Sequence, residues 1–350
     1  MSSSADGRRD ERSRAHTGNN SARGACRFSM PALLLPCTLG IALGIALALA
    51  PCPAFAQEGG WATAGAFGNM EPGGRGAALG GALAPIVDDA TAAHWNPARL
   101  VELDRREVAV TYADLFGLHL ARHTALFFAF PRRERDLSWD ESGLRARSGR
   151  VTSAYGLGLQ TTNVDLDPES YAEYDLSAAY ARRGLWDFTW ALALHGLFAR
   201  SEVDIVGASG FSIDLSLARS FGRVADASLV ARGLVSRLDW DAGAKEDLRP
   251  TVEVGGALRP RADLALPAVA QFDLEASQLT QASVGAEWRA VGDLLRLRAG
   301  LRWRDDGASS GMRGSAGAGL HWKDLTFDYG LAIGPEDLGD THRLSLQYRF

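Results

Sequence analysis

Asp88 and Asp89, followed closely by His94, are residue types that ligate divalent cations. Serines and aspartates set against His119, His123, His195, His321 and His342 are the types from which hydrolases are built. In neither case does the spacing carry the chemistry. An aspartate ahead of a short apolar run more often caps a helix, so Asp88 or Asp89 is read as the N-cap of a helix over Ala90 to Trp95, with Pro97 opening the next turn. No serine or aspartate stands in a nucleophile motif with a histidine, so the sequence is read as that of a non-enzyme with no metal and no cofactor. Trp95, Asn96 and Pro97, with Asp88 and Asp89, form a candidate gate. A buried indole and an amide bonded to a neighbouring wall would lock this turn, and moving it would open a path. The third group is electrostatic: Asp273, Glu275, Glu287, Arg289, Arg296, Arg298, Arg302, Arg304, Asp328 and Arg343 fall on one face of alternating segments. Acids and bases on adjacent strands predict a network of cross-strand pairs rather than an anion-attracting pore.

The elements that hold these residues are strands. From about residue 105 onward apolar side chains recur at every second position, which places them on one face of a strand. Trp186, Phe188, Trp190, Leu192 and Leu194 alternate with Asp187, Thr189, Ala191, Ala193 and His195. We count about fourteen such segments, most reaching the nine to eleven residues a tilted strand needs to cross a bilayer. No apolar run after Gln57 is long enough for a membrane helix, so a membrane reading requires a closed barrel. Connections such as Arg183-Gly184, Val291 to Asp293 and Lys323-Asp324 are tight, while those around 163–171, 200–209, 239–248, 305–311 and 332–340 are longer. Short periplasmic turns opposite longer external loops are the outer-membrane arrangement. Pro131 to Arg150 misfits, being a long polar stretch that strand parity assigns to the short side. Trp186, Trp190, Trp240, Trp288, Trp303 and Trp322 fall near strand ends, as interfacial girdles do.

Arg8, Arg9, Arg12, Arg14, Arg23 and Arg27 precede an apolar run from Pro31 to Ala50 that ends at Ala54-Phe55-Ala56, the pattern of a cleaved secretory signal over residues 1–56. Cys26, Cys37 and Cys52 all lie within it, so the mature chain is expected to carry no thiol. Residues 57–104, rich in glycine and alanine, are expected to form a small, partly helical plug ahead of a barrel over 105–350. Of 350 residues 37 are basic and 42 acidic, a net charge of −5, which leaves no footprint for nucleic acid.

Two blocks of sequence carry a resemblance. Gly73-Gly74-Arg75-Gly76-Ala77-Ala78-Leu79-Gly80-Gly81-Ala82, followed by Asp88-Asp89-Ala90-Thr91-Ala92-Ala93-His94-Trp95-Asn96-Pro97-Ala98, resembles the N-terminal block of the PorV/PorQ-like proteins of the FadL-type outer-membrane superfamily. Leu325 to Gly330 and Gly339 to Leu346 look like the last hairpin of the same group, and the alternation ending in Tyr348 and Phe350 looks like the terminal strand signal of bacterial outer-membrane proteins, addressed to the barrel-assembly machinery. Arg99 departs from the pattern, since a glycine usually follows Asn-Pro-Ala there. The resemblance implies a fourteen-stranded outer-membrane barrel in contact with membrane lipid, its lumen plugged from the N-terminus. It implies either passage of a hydrophobic small-molecule ligand, as in FadL, or a PorV-like role in binding or handing on secreted protein cargo.

Overall fold

The computed structural model describes residues 70–115, 121–140, 143–166, 169–201, 207–305, 310–334 and 339–350. The signal expected over 1–56 and residues 57–69 of the expected plug lie outside the described residues. Two short helices, α1 (Gly74–Ala78) and α2 (Ala92–Trp95), and a 3-10 helix (Pro97–Glu102) come first. The strands follow: β1 (Glu107–Leu115), β2 (Ala121–Asp140), β3 (Gly143–Leu166), β4 (Glu169–Arg183), β5 (Phe188–Ser201), β6 (Ala208–Phe221), β7 (Ala225–Trp240), β8 (Lys245–Glu246), β9 (Thr251–Arg261), β10 (Leu264–Asp273), β11 (Gln278–Val291), β12 (Leu295–Asp305), β13 (Ser310–Trp322), β14 (Leu325–Ala332) and β15 (Thr341–Arg349).

Each strand pairs antiparallel with its sequence neighbour, and β1 pairs with β15 through Val110 and Leu346, so the sheet closes on itself. The two-residue β8 folds back on β7, and the other fourteen strands make the barrel wall. Where the strands pair, closure leaves no edge along the wall and satisfies the backbone internally. Among the described residues no helix is long and apolar enough to cross a membrane.

The alternation of sequence becomes an alternation of faces. Leu194 on β5 is 50% exposed while its neighbour Ala193 is 1% exposed, and on β6 Leu215 and Leu217 point out where Asp214 and Ser216 are buried. An apolar outer face uncovered by the chain is the surface a bilayer covers. The indoles of Trp186, Trp190, Trp288 and Trp322 are exposed near the short-turn end, where Tyr348 and Phe350 also stack outward with ring centres 6.0 Å apart.

The polar stretch at Pro131 is not a loop. β2 and β3 run on through it as a paired ribbon to Asp140 opposite Gly143, past Ala129, the last residue of β2 that pairs with β1, and past Ser153, where pairing with β4 begins. Strand parity is thus preserved, and Pro131 stands where β1 has ended, a position that tolerates a missing N–H.

Residues 70–104 pack inside the wall. Leu79, Leu83, Ile86, Val87, Trp95, Leu100 and Val101 form the core with small inward residues such as Ala154, Ala181, Ala191, Ala193 and Ala218 and with Phe127. Small wall residues make the room: a side chain at Gly300 would run into the backbone at Leu79 and Gly80, and one at Gly330 into Gly74. The barrel is filled by its own chain rather than by wall side chains alone.

The outward face generates a prediction. Leu194→Arg should lower the free energy of unfolding from vesicles by about 2–4 kcal/mol, and Trp186→Arg at the turn by less than about 1 kcal/mol, in a urea titration. Equal shifts would contradict a bilayer around β5.

Candidate functional site

The inner segment begins with α1, whose tight start is set by Gly73 at φ 92°. α1 carries Arg75, which is buried and surrounded by acids. Its Nε and Nη2 donate to Glu287 on β11 at 2.9 and 3.1 Å, and Nη1 donates to Asp89 at 3.1 Å and to Asp88. Glu287 also accepts from Arg298 Nε on β12 at 2.7 Å, and Arg298 Nη1 donates to Asp328 on β14 at 2.6 Å. A continuous chain of ion pairs therefore runs from the inner segment across three wall strands. Burial opposes the charge on Arg75, but Asp88, Glu287 and Asp89 more than offset it and hold its pKa above the ordinary value. Asp88 is held far below the carboxylate range, because Arg75 and Arg296 outweigh its burial. A depressed carboxylate pKa stabilises the fold above the unfolded value near 4, and the contribution is lost only as the pH falls below that.

Three further ties fix the segment. Glu107 on β1 accepts the Ala90 N–H at 3.0 Å and Arg349 Nε at 2.7 Å. Arg99 donates to the Val87 carbonyl at 2.8 Å and lies 3.3 Å from Asp226 on β7, so the position that departs from the resembled pattern holds the turn through its side chain. Arg302 donates to the Gly80 carbonyl at 2.7 Å and to Glu71. Burial raises the Glu71 pKa, yet Arg302 and Arg343 bring it below the ordinary value.

The predicted gate is built differently from the expectation. Trp95 is buried and donates from Nε1 to the Pro72 carbonyl at 3.2 Å, and Asn96 Nδ2 donates to the Ala84 carbonyl at 3.1 Å, so both bond the inner segment itself rather than the wall. Gly76 lies directly beneath the indole, where any Cβ would overlap it. Pro97 opens the 3-10 helix as expected from its fixed φ. The cap of α2 is Thr91, not Asp88 or Asp89; Asp89 accepts the Thr91 N–H at 2.9 Å and so shapes the turn ahead of the helix. Asp88 and Asp89 turn to Arg75 while His94 turns to Gln160, so the three share no centre. Among the described residues no group of three or more His, Cys, Asp or Glu side chains is arranged to hold a metal ion.

The charged set divides in the same way. Glu287, Arg298 and Asp328 join the Arg75 chain, and Arg302 joins Glu71. Arg296 and Arg343 face inward with buried Nε atoms that have no hydrogen-bond partner, and Arg304 lies near Glu71. Asp273 and Glu275 leave the network: Asp273 accepts the N–H groups of Glu275 and Ala276 and closes the turn after β10, and Glu275 is exposed in that turn. Arg289 sits at the short-turn end, 3.5 Å from Asp293. The centre of the network, Arg75, was not singled out by sequence reasoning because it sits in a run of glycine and alanine. Glu107, Asp175 and Asp214 were also missed, although inward parity marks all of them, and His195 was weighed only among the histidines a hydrolase would need.

At the short-turn end a polar cavity lined by Arg75, Asp88, Arg259 and Glu287 measures about 20 Å³, room for a water and not for a solute. At the long-loop end the inward face becomes apolar: Leu197, Ala199, Ala208 and Leu238 are buried together, with Tyr171, Trp240 and Leu248 packed on them. The wall beside them is incomplete. β7 pairs with β9 only as far as Arg232, and beyond it with β8 at Leu238 and Asp239. Ser236 spans the interval through its hydroxyl, which accepts the Leu248 N–H at 2.8 Å.

Removing Arg298 would leave Glu287 and Asp328 buried with one cation fewer. Arg298→Met should destabilise the folded barrel by about 3–5 kcal/mol in denaturant titration, against under about 1 kcal/mol for Arg289→Met at the rim. Similar losses for the two would contradict the network.

No family model matches this chain, and no curated protein does. Solved structures match in fold. The chain is similar to the CymD monoaromatic hydrocarbon channel, at a TM-score of 0.60 and 12% identity over 80% of this chain and 97% of that one. It is similar to a Pseudomonas aeruginosa FadL homologue, at 0.57 and 13% over 80% and 99%, and to the Ralstonia pickettii toluene transporter TbuX, at 0.55 and 13% over 79% and 98%. At such identities the likeness speaks for the fold alone: a closed antiparallel barrel with a wall of fourteen strands, similar to the folds of these proteins.

Proposed function

We propose that this chain lies in the bacterial outer membrane and passes hydrophobic small molecules, with residues 70–104 acting as the plug. The observation that carries the reading is the apolar cluster at Leu197, Leu238, Tyr171, Trp240 and Leu248, set beside the interrupted ladder between β7 and β9. An apolar solute arriving at the long-loop end would gain about 25 cal/mol for each Å² it buries there. It would then leave sideways into lipid where β7 and β9 do not pair, without crossing the charged inner segment. Neighbours in fold are described as channels and transporters of monoaromatic hydrocarbons and toluene, which supports the same solute class here. In this reading Trp95, Asn96 and Pro97 keep the plug rigid, and Tyr348 and Phe350 form the signal read by the barrel-assembly machinery.

A second reading, a PorV-like partner for secreted cargo, is favoured by the β2–β3 ribbon, whose two strands beyond the wall pair only with each other among the described residues. Such a ribbon offers open edges to a passing extended chain.

Uptake of a labelled monoaromatic hydrocarbon into vesicles holding the folded chain separates the two. A charge in the apolar cluster opposes transfer of an apolar solute, so Leu238→Glu should slow uptake about tenfold while the protein keeps its heat-modifiable mobility. Unchanged uptake, or uptake equal to that of protein-free vesicles in the parent chain, would count against the transport reading.

A further inference from the structure

Helix α2 is fastened to the wall by a closed circuit of polar contacts through five consecutive strands. Arg232 on β7 donates from Nη1 to the His94 carbonyl at 2.9 Å and from Nη2 to the Trp95 carbonyl at 3.0 Å, two of the carbonyls that a helix end leaves without intrahelical partners. The same guanidinium lies 3.7 Å from Asp214 on β6. Asp214 faces Nε2 of His195 on β5 at 3.3 Å, and His195 Nδ1 lies 2.9 Å from Asp175 on β4. Asp175 accepts from Gln160 Nε2 on β3 at 3.2 Å, and that amide also reaches His94 Nδ1 at 3.2 Å. The path returns to the residue from which it started.

The chemistry of each link is determined by its neighbours. Carboxylates only accept, so an imidazole bridging Asp175 and Asp214 donates from both nitrogens and carries a positive charge. Together with Arg232 it balances the two carboxylates. His94 accepts from Gln160 and is therefore neutral, in keeping with its burial and the nearby Arg232, which hold its pKa well below the ordinary value.

The circuit also meets the wall at one of its irregular points. Arg232 is the last residue of β7 paired with β9, and Gly233, at φ 63°, forms a bulge where three residues of β7 stand opposite Asp214. The Gly233 N–H donates to Asp214 Oδ1 at 2.9 Å. One carboxylate thus holds both the bulge and the arginine that grips α2.

We propose that Arg232, Asp214, His195, Asp175 and Gln160 form a latch that couples the seat of α2 to the shape of the β7 bulge, so that opening the circuit frees the helix and the wall at Gly233 together. The latch does not depend on which solute the barrel passes, and its test uses none. Hydrogen exchange of the chain folded in lipid nanodiscs reads it directly. In Arg232→Met and in Asp214→Asn, amides over 90–98 and 233–237 should exchange about tenfold faster or more, with β12 to β15 unchanged. If Arg232→Met fails to fold, Asp214→Asn, nearly the same size as the parent side chain, still decides the matter. Arg183→Met removes the Arg183 contacts to Val101 and Glu102 and should leave 90–96 at the parent rate. Unchanged exchange over 90–98 in the Asp214 variant, a uniform rise across all strands, or an equal rise in the Arg183 variant would overturn the latch.

Discussion

A guanidinium buried in a narrow lumen is costly without carboxylates beside it, and Arg75 meets three of them. The remaining architecture follows from that requirement. Glu287 can face Arg75 only if β11 places it inward, and it then draws in Arg298 from β12, which draws in Asp328 from β14. Each buried charge is tolerable because a nearby strand supplies its partner, β14 reaching β12 across β13, and removing one member leaves the others exposed to the full penalty of burial. The inner segment is therefore not loosely stowed. It is an electrostatic component of the wall, held additionally by Glu107, Arg99 and Arg302 at separate points around the circumference.

Besides the core that the inner segment forms with the wall, the barrel has two further apolar regions. One is the outer face, where leucines such as Leu194 and Leu215 are left exposed by the described residues. The other is the long-loop end of the lumen, where Leu197 and Leu238 pack under Tyr171, Trp240 and Leu248. Beside the second region β7 is paired with β6 but its pairing with β9 ends at Arg232, and Ser236 ties it to Leu248 instead. The ladder between β7 and β9 ends beside this inner apolar region, and that interruption is the feature on which the proposed sideways exit rests.

The barrel was legible in the sequence because a period of two leaves a mark on every strand: Phe211 to Leu217 and Leu295 to Trp303 announce which residues face out. The ribbon at 131–150 was not legible, since its sequence is polar and lacks the apolar alternation by which a strand shows itself. Asp273 illustrates another limit. Its parity is that of a lumen residue, but it stands at the last position of β10, where bonding the turn is closer at hand than any arginine. Arg75 was hidden for the opposite reason. In a short helix surrounded by glycine and alanine there is no periodicity, and only the three-dimensional path of the segment brings it to Glu287.

The central claim, that apolar solutes leave through the wall between β7 and the segment ahead of β9, is tested most directly by closing that wall. Cysteines introduced at Ser236 and Leu248, where the hydroxyl of one now accepts the N–H of the other, can be joined by oxidation in vesicle-held protein. The account predicts that hydrocarbon uptake falls to the level of protein-free vesicles on oxidation and returns on reduction. Uptake that continues at the same rate through the oxidised barrel would contradict it.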